Sequence, residues 1–330
     1  MQHSWFLAAF GLGAVVVGAA AQAPTSSPAR TTAQITSANR TITAVDRIKV
    51  GSITLAERPT GCTVILVDGD GAVGGVSQRG GSPGTRETDL LDPSNMVDKV
   101  NAIVLAGGSA FGLDAATGTV RWLEEHGMGW DVRIAKVPIV PSAILFDLPI
   151  GNNPKVRPTA DCGYRAAAEA SSASVREGTV GAGAGATVGK SAGAGRSMKA
   201  GLGSWEISLP NGLKVGAIVA VNAVGDIIDP DTGRVVAGVR NPDGTLADAR
   251  TLLRSGGPRE QPRPGANTTI GVVATNAKLT KAQVHRMALM ADDGFARAIF
   301  PSHTMGDGDT VFSLATGTWT GEIDITQIGA

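Results

Sequence analysis

From residue 42 onward, short apolar runs alternate with amphipathic stretches along the chain. Thr63–Val67 (TVILV) and Ala102–Leu105 (AIVL) are short, rich in branched aliphatic residues and bounded by turn residues, the pattern of buried strands. Val215–Val221 (VGAIVAV), Ile270–Ala274 (IGVVA) and Val311–Leu314 (VFSL) extend the series. Between the strands, Phe111–His126 carries Leu113, Ala116, Val120 and Leu123 at helical spacing and stops before Gly127. Thr280–Ala298 puts Val284, Met287, Ala288 and Ala291 on one face, with Thr280 placed to cap the helix. The alternation predicts a layered α/β fold. One stretch breaks the rhythm: Arg254–Asn267 (RSGGPREQPRPGAN) has three prolines, three glycines and no period, and predicts an exposed connection. A buried strand then begins abruptly at Thr268. A chain cut at such a junction can still hold together.

Composition sharpens this picture. The chain has 330 residues, 42% hydrophobic but only 4% aromatic, with 45 glycines, so its core is built from Ala, Val, Ile and Leu around close backbone contacts. Lys+Arg and Asp+Glu balance at 29 each, and no basic stripe is present, which argues against a nucleic-acid partner. Neither the two cysteines nor the four histidines have metal-ligand spacing, so no metal or cofactor is expected. Cys62 lies in the apolar run GCTVILV and Cys162 in the helix-like DCGYRAAAEA; both read as buried thiols rather than as a disulfide.

The first residues differ from the rest. Phe6–Ala21 is an apolar run followed by small residues, although MQHSW before it lacks Lys and Arg. Residues 1–21 read as a signal peptide cut after Ala21, and 22–41 as a flexible Thr/Ser/Pro-rich tether. Residues 42–330 then form a single domain. Export to the periplasm or the exterior follows, without stable membrane association; a segment that did not act as a signal would leave the protein cytoplasmic.

Two glycine-rich segments imitate nucleotide sites. Gly69–Gly74 matches G-x-G-x-x-G after a strand, but VSQRGGSPG behind it cannot open the helix that a pyrophosphate needs, and it reads as a turn. GAGAGATVGKS lacks the P-loop glycine, since Ala184 stands where it is required. Lys190 ends that run, where backbones pack closely and an amine can be desolvated; the competing reading is a surface lysine on a loop.

Among the four histidines only His303 falls in a functional-looking loop, so a Ser-His-Asp arrangement has few candidates. A threonine that begins a chain can instead be activated by its own α-amine. Asn267-Thr268-Thr269-Ile270 has the required form, a cut site directly before a buried strand. In Pro301–Thr310 (PSHTMGDGDT), Asp307 and Asp309 flank one glycine, so an extended loop points both carboxylates the same way, toward orienting such a nucleophile. The alternatives for Asp-Gly-Asp are a solvated turn or, less well matched, a cation loop.

Taken together, ITAVDRIKVG (42–51), RGGSPGTRETDLLDP (79–93), LAGGSAFGLDAA (105–116), GTVGAGAGATVGK (178–190), NTTIGVVATNA (267–277) and HTMGDGDTVFSLATG (303–317) resemble the DmpA-type self-processing hydrolases. That family includes L-aminopeptidase/D-esterases, β-peptidyl aminopeptidases and nylon-oligomer hydrolases. The Asn267-Thr268 junction is most similar to the nylon-oligomer branch. The resemblance implies a four-layer αββα sandwich and a precursor that cuts itself into an α chain ending at Asn267 and a β chain beginning at Thr268. The two chains stay associated, and the protein is expected to be a homo-oligomer, a tetramer. It further implies that Asp307 and Asp309 orient Thr268, that Lys190 lies beside it, and that Asn222 donates to the oxyanion. Phe146 stands in the substrate pocket where many relatives have tyrosine, and relatives continue into a further Ala-rich helix beyond the position of Ala330. The expected activity is hydrolysis of small peptides or oligoamides through an acyl-enzyme. The rival readings are a self-cleaving but idle scaffold and an exported protein that binds a small anion.

Overall fold

The computed structural model describes residues 39–256 and 265–330. The expected signal segment and most of the tether lie outside the described residues, as does the middle of the Pro-rich connection. In chain order the principal elements are β1 (Ile48–Thr54), β2 (Gly61–Val67), β3 (Ala72–Gln78), β4 (Thr85–Arg86), β5 (Lys99–Val100), β6 (Ala102–Ala106), α1 (Ala115–Glu125), β7 (Ser142–Ile144) and α2 (Ala160–Ala168). They are followed by β8 (Leu202–Ser208), β9 (Lys214–Asn222), β10 (Thr268–Ala277), α3 (Lys281–Ala298) and β11 (Thr310–Trp319).

The strands form two principal sheets. One has five strands in the order β1-β2-β6-β7-β4; the other has six, β8-β9-β10-β11-β3-β5. The strand alternation of side chains then sorts the apolar residues into three layers. Ile65, Val67, Ile103 and Leu105 of the first sheet meet Ile218, Ala220, Ile270, Val272, Phe312 and Leu314 of the second. On the outer face of the first sheet, Val64, Leu66 and Val104 pack against Ala115, Leu123 and Ala166 of α1 and α2. On the outer face of the second, Val273, Val311 and Ala315 pack against Val284, Met287 and Phe295 of α3. The result is the expected helix–sheet–sheet–helix sandwich.

Local signals explain most element ends. Thr280 closes a capping box, its side chain accepting from the Gln283 amide while Gln283 reaches back to the Thr280 amide. The helix expected from Phe111 starts later: Ser109–Asp114 winds as a tighter 3₁₀ segment and the α-helix proper begins at Ala115. The segment after Gly69 runs on into β3, a strand of the second sheet, as a glycine turn does and a nucleotide loop does not.

The cysteines correct the sequence reading. Cys62 and Cys162 are joined in a disulfide, with Cα atoms 6.2 Å apart and a sequence separation of 100. Both lie in the apolar layer between the first sheet and its helices, as the burial of the surrounding runs suggested. Their pairing depends on α2 being laid across β2, which no local pattern announces.

Candidate active site

β10 is an inner strand buried along its whole length. Ile270, Val272 and Ala274 point into the space between the sheets, and Thr268, of the same parity, opens that row at the strand's first position. β9 runs antiparallel to β10 and sets Asn222 directly opposite Thr268. β11 runs parallel, with Thr310 opposite Ile270, so the loop that precedes it brings Asp307 and Asp309 to the same end. Three strand ends therefore converge on Thr268, which is only 1% exposed.

The peptide before Thr268 is held in place. Asn267 forms a bridge with Asp307, and its carbonyl oxygen accepts the Gly308 N–H at 2.9 Å. The Thr268 hydroxyl lies 2.5 Å from that same carbonyl oxygen. Gly308 leaves room for this arrangement: a Cβ there would stand 2.9 Å from Thr268 Oγ1 and 2.7 Å from the Ser82 carbonyl. The Arg79–Gly84 stretch clamps the loop from outside. Ser82 N–H donates to the Asp307 carbonyl at 2.8 Å, Gly81 N–H to the Thr304 carbonyl at 3.1 Å, and Ser82 Oγ to the Met305 carbonyl at 2.8 Å.

Neither aspartate is part of a solvated turn; each is 2% exposed. One Asp309 oxygen accepts the Thr269 N–H at 2.7 Å, and the other accepts the backbone N–H of His303 at 3.0 Å. Asp307 accepts the Thr304 N–H at 2.7 Å through Oδ2, while its buried Oδ1 has no hydrogen-bond partner among the described residues. Burial, reinforced by repulsion from Asp309, pushes the Asp307 carboxyl up to about 6.

Lys190 is half-buried, its amine turned inward, rather than a surface lysine on a loop. Its ammonium donates to the Asn222 carbonyl at 3.0 Å and to Asn222 Oδ1 at 2.9 Å. Burial pushes the amine down to about 7, with Asp307 opposing the shift. The glycine ahead of it explains the approach: Gly189 has φ +71°, and a Cβ there would be 2.1 Å from the Gly238 carbonyl carbon. Asn222 Oδ1 also accepts the Thr187 N–H at 3.1 Å, and Nδ2 donates to the Phe146 carbonyl at 3.0 Å. Lys190, Asn222 and Phe146 are thus one hydrogen-bonded unit beside Thr268, with Phe146 contributing through its backbone. The lysine couples this unit electrostatically to Asp307.

Two residues of the assembly were not singled out as site residues from the sequence. His303 pairs with Asp309 through Nδ1 at 3.0 Å, and Asp292, wholly buried on α3, faces His303 Nε2 at 3.7 Å. His303 was visible as the one histidine in the Asp-Gly-Asp loop. Asp292 carried no signal, because a helix aspartate followed by another at 293 reads as a solvated face.

A buried hydroxyl thus stands at the head of an inner strand of a four-layer sandwich, with two carboxylates, a lysine and an asparagine gathered round it, as a hydrolytic site requires. Comparison with known proteins gives the family. The model of peptidase family S58 matches residues 40–327, and the chain belongs to that family, the DmpA-type hydrolases of peptide and amide bonds. The chain is 48% identical over 272 residues to an uncharacterized aminopeptidase of Mycobacterium leprae, covering 78% of this chain and 71% of that one. It is 31% identical over 298 residues to the 6-aminohexanoate-oligomer endohydrolase of a Kocuria species, covering 84% and 74%. Among solved structures, the L-aminopeptidase D-Ala-esterase/amidase of Ochrobactrum anthropi, described as a variant of the Ntn hydrolase fold, superposes with a TM-score of 0.62 at 20% identity, over 84% of this chain and 74% of that one. A Burkholderia β-aminopeptidase gives 0.59 at 21%, over 84% and 73%. At those identities the two structures speak for a shared fold.

Proposed function

We propose that the protein is a self-processing amidohydrolase that cleaves its own Asn267–Thr268 bond and then hydrolyses amide bonds of small peptides or oligoamides through an acyl-enzyme on Thr268. The observation that carries this reading is the Thr268 hydroxyl, buried and 2.5 Å from the Asn267 carbonyl oxygen that also accepts the Gly308 N–H.

In the precursor Thr268 has no free amine, so another group must take the hydroxyl proton. Asp307 is assigned that role. It is buried beside Gly308, its Oδ1 has no hydrogen-bond partner among the described residues, and burial pushes it up to about 6, so it is ionised at neutral pH. The Thr268 oxygen bonds to the Asn267 carbonyl carbon, and the charge that develops on the carbonyl oxygen falls on the Gly308 N–H. The Asn267–Thr268 C–N bond breaks as Asp307 returns the proton to the departing nitrogen. Water then hydrolyses the resulting ester, freeing the Asn267 carboxylate and the Thr268 hydroxyl and α-amine.

In the processed enzyme the neutral α-amine takes over as base for its own hydroxyl. Lys190 adds positive charge nearby below about pH 7, which keeps that amine from protonating. Asn222 offers its side-chain amide to the substrate oxyanion, and Asp309 holds the strand end through Thr269. The α and β chains remain together because β10 is the inner strand of the sheet. Relatives named as aminopeptidases and as an oligoamide endohydrolase support small peptides and oligoamides as substrates. Export and homo-oligomerisation remain part of this reading.

Intact mass of purified protein beside Thr268→Ala tests it. The expected result is two wild-type pieces, the smaller beginning at Thr268, and an uncut variant. A wild-type chain that stays whole on long incubation would overturn self-processing.

A further inference from the structure

Behind Asp309 lies a second, buried layer of charge. His303 has φ +55°, a conformation that non-glycine residues adopt only when held there. It is held by Asp309, whose Oδ2 receives both the His303 backbone N–H and Nδ1, each at 3.0 Å. The opposite ring nitrogen, Nε2, faces Asp292 Oδ1 at 3.7 Å. Both of those atoms are buried, and neither has a hydrogen-bond partner among the described residues. Asp292 is itself anchored, accepting the Ser77 hydroxyl at 2.7 Å through Oδ2. A line of contacts therefore runs from α3 through the imidazole to Asp309, and from the other Asp309 oxygen to the Thr269 N–H at 2.7 Å.

A ring with a carboxylate at each nitrogen is satisfied only when both nitrogens carry protons. A neutral tautomer would turn a lone pair toward one carboxylate. The charged groups facing the ring are Asp309 from its own loop, Asp292 from α3, and Arg79 from the end of β3. Arg79 opposes the proton; its guanidinium bridges Asp292 Oδ2, at 3.4 Å from Nε, and Asp293, at 2.6 Å. The hydrogen bond from Asp309, with Asp292 and Asp309 both attracting the charge, raises His303 above the ordinary histidine value despite its burial.

We infer that His303, as an imidazolium clasped between Asp309 and Asp292, is a positioning residue that holds Asp309 on the amide next to the nucleophile, and that loss of its proton switches the site off at alkaline pH. The inference rests on the reading of Thr268 as nucleophile. The sign is definite: the clasp is complete while the ring is protonated and is lost as pH rises through its raised value. Removing Asp292 lowers that value and brings the loss to lower pH.

The test combines two measurements. In ¹⁵N-histidine-labelled Thr268→Ala protein, with the His303 signal assigned by His303→Gln, the imidazole is expected to titrate above the ordinary 6.5. Asp292→Asn is expected to lower it by about one pH unit or more. The self-cleavage rate of the otherwise wild-type chain should show an alkaline limb that Asp292→Asn moves down by the same interval. A role confined to packing would lower stability without moving the limb. Lys190 also titrates, at about 7, but the charge acting on it is Asp307 and not Asp292, so the displacement identifies His303. Should Asp292→Asn fail to fold, His303→Gln is expected to lose the limb, and a limb retained in it would overturn the inference. An unmoved limb in folded Asp292→Asn, or a His303 that titrates at or below 6.5, would overturn it with self-processing intact. A wild-type chain that never cuts would overturn instead the reading beneath it.

Discussion

β2 and β10 occupy matching places, each an inner strand of its sheet and each buried from end to end, yet they bury different things. β2 is GCTVILV: its valines, isoleucine and leucine pack on both faces, its Thr63 hydroxyl accepts the Ala182 N–H, and Cys62 ties it to α2. β10 begins with two threonines, and the strand and loop ends around them carry Asn267, Asn222, Asp307 and Asp309, all buried. Burying polar and ionisable groups costs stability unless each finds a partner, and Asp307 Oδ1 has none among the described residues. One strand spends its burial on cohesion. The other keeps a destabilised cluster inside the same sandwich, as expected where the cluster does chemistry.

The comparison breaks most visibly at Thr268. Thr268→Ala should abolish self-cleavage, seen as a single intact mass, whereas Thr268→Ser should still cut. Next in size is Asp307→Asn, which is expected to slow self-cleavage by about 10²–10⁴-fold, as loss of a general base does. It should also remove the acid limb of the wild-type profile. That limb has a worked sign: below about pH 6 Asp307 takes up a proton and ceases to be a base, so the rate should rise with pH through that region.

Stability measurements sharpen the contrast from the other side. The double variant Cys62→Ala/Cys162→Ala opens a link spanning 100 residues and should cost about 2–4 kcal/mol, read as a fall in melting temperature. Its self-cleavage rate at 25 °C should change little, because the link lies on the outer face of the first sheet. The smallest effect, and the most telling, is Lys190→Met. Removing a desolvated amine should raise stability by about 1 kcal/mol while slowing hydrolysis, since methionine fills the space without the charge. A variant less stable and equally active would contradict the division between the two regions.

Much of the framework was legible along the chain. The runs TVILV, AIVL, VGAIVAV, IGVVA and VFSL each fall within an observed strand, and Thr280 caps its helix. These elements are specified by local period and end chemistry, which a sequence carries directly. Thr268 was legible because a Pro-rich connection gives way to a buried strand there. Asp307 and Asp309 were legible as a paired motif, and Lys190 and Asn222 through family resemblance. The cysteine pairing was read wrongly, since burial and a 100-residue separation are equally compatible with thiols. Asp292 was missed because its burial comes from Ser77, Arg79 and His303, residues remote in sequence.

The sequence by itself determined the layers, the strand on which Thr268 sits and the loop that carries the two aspartates, because hydrophobic periodicity and turn residues act over a few positions. Tertiary structure decided which charges meet. Antiparallel β9 and parallel β11 bring Asn222, Thr268 and Asp309 to one end of the sheet. The fold of the Lys190 run removes the amine from water, and α3 lays Asp292 against His303. Their electrostatics come from distance and desolvation, quantities that do not exist until the chain has closed around them.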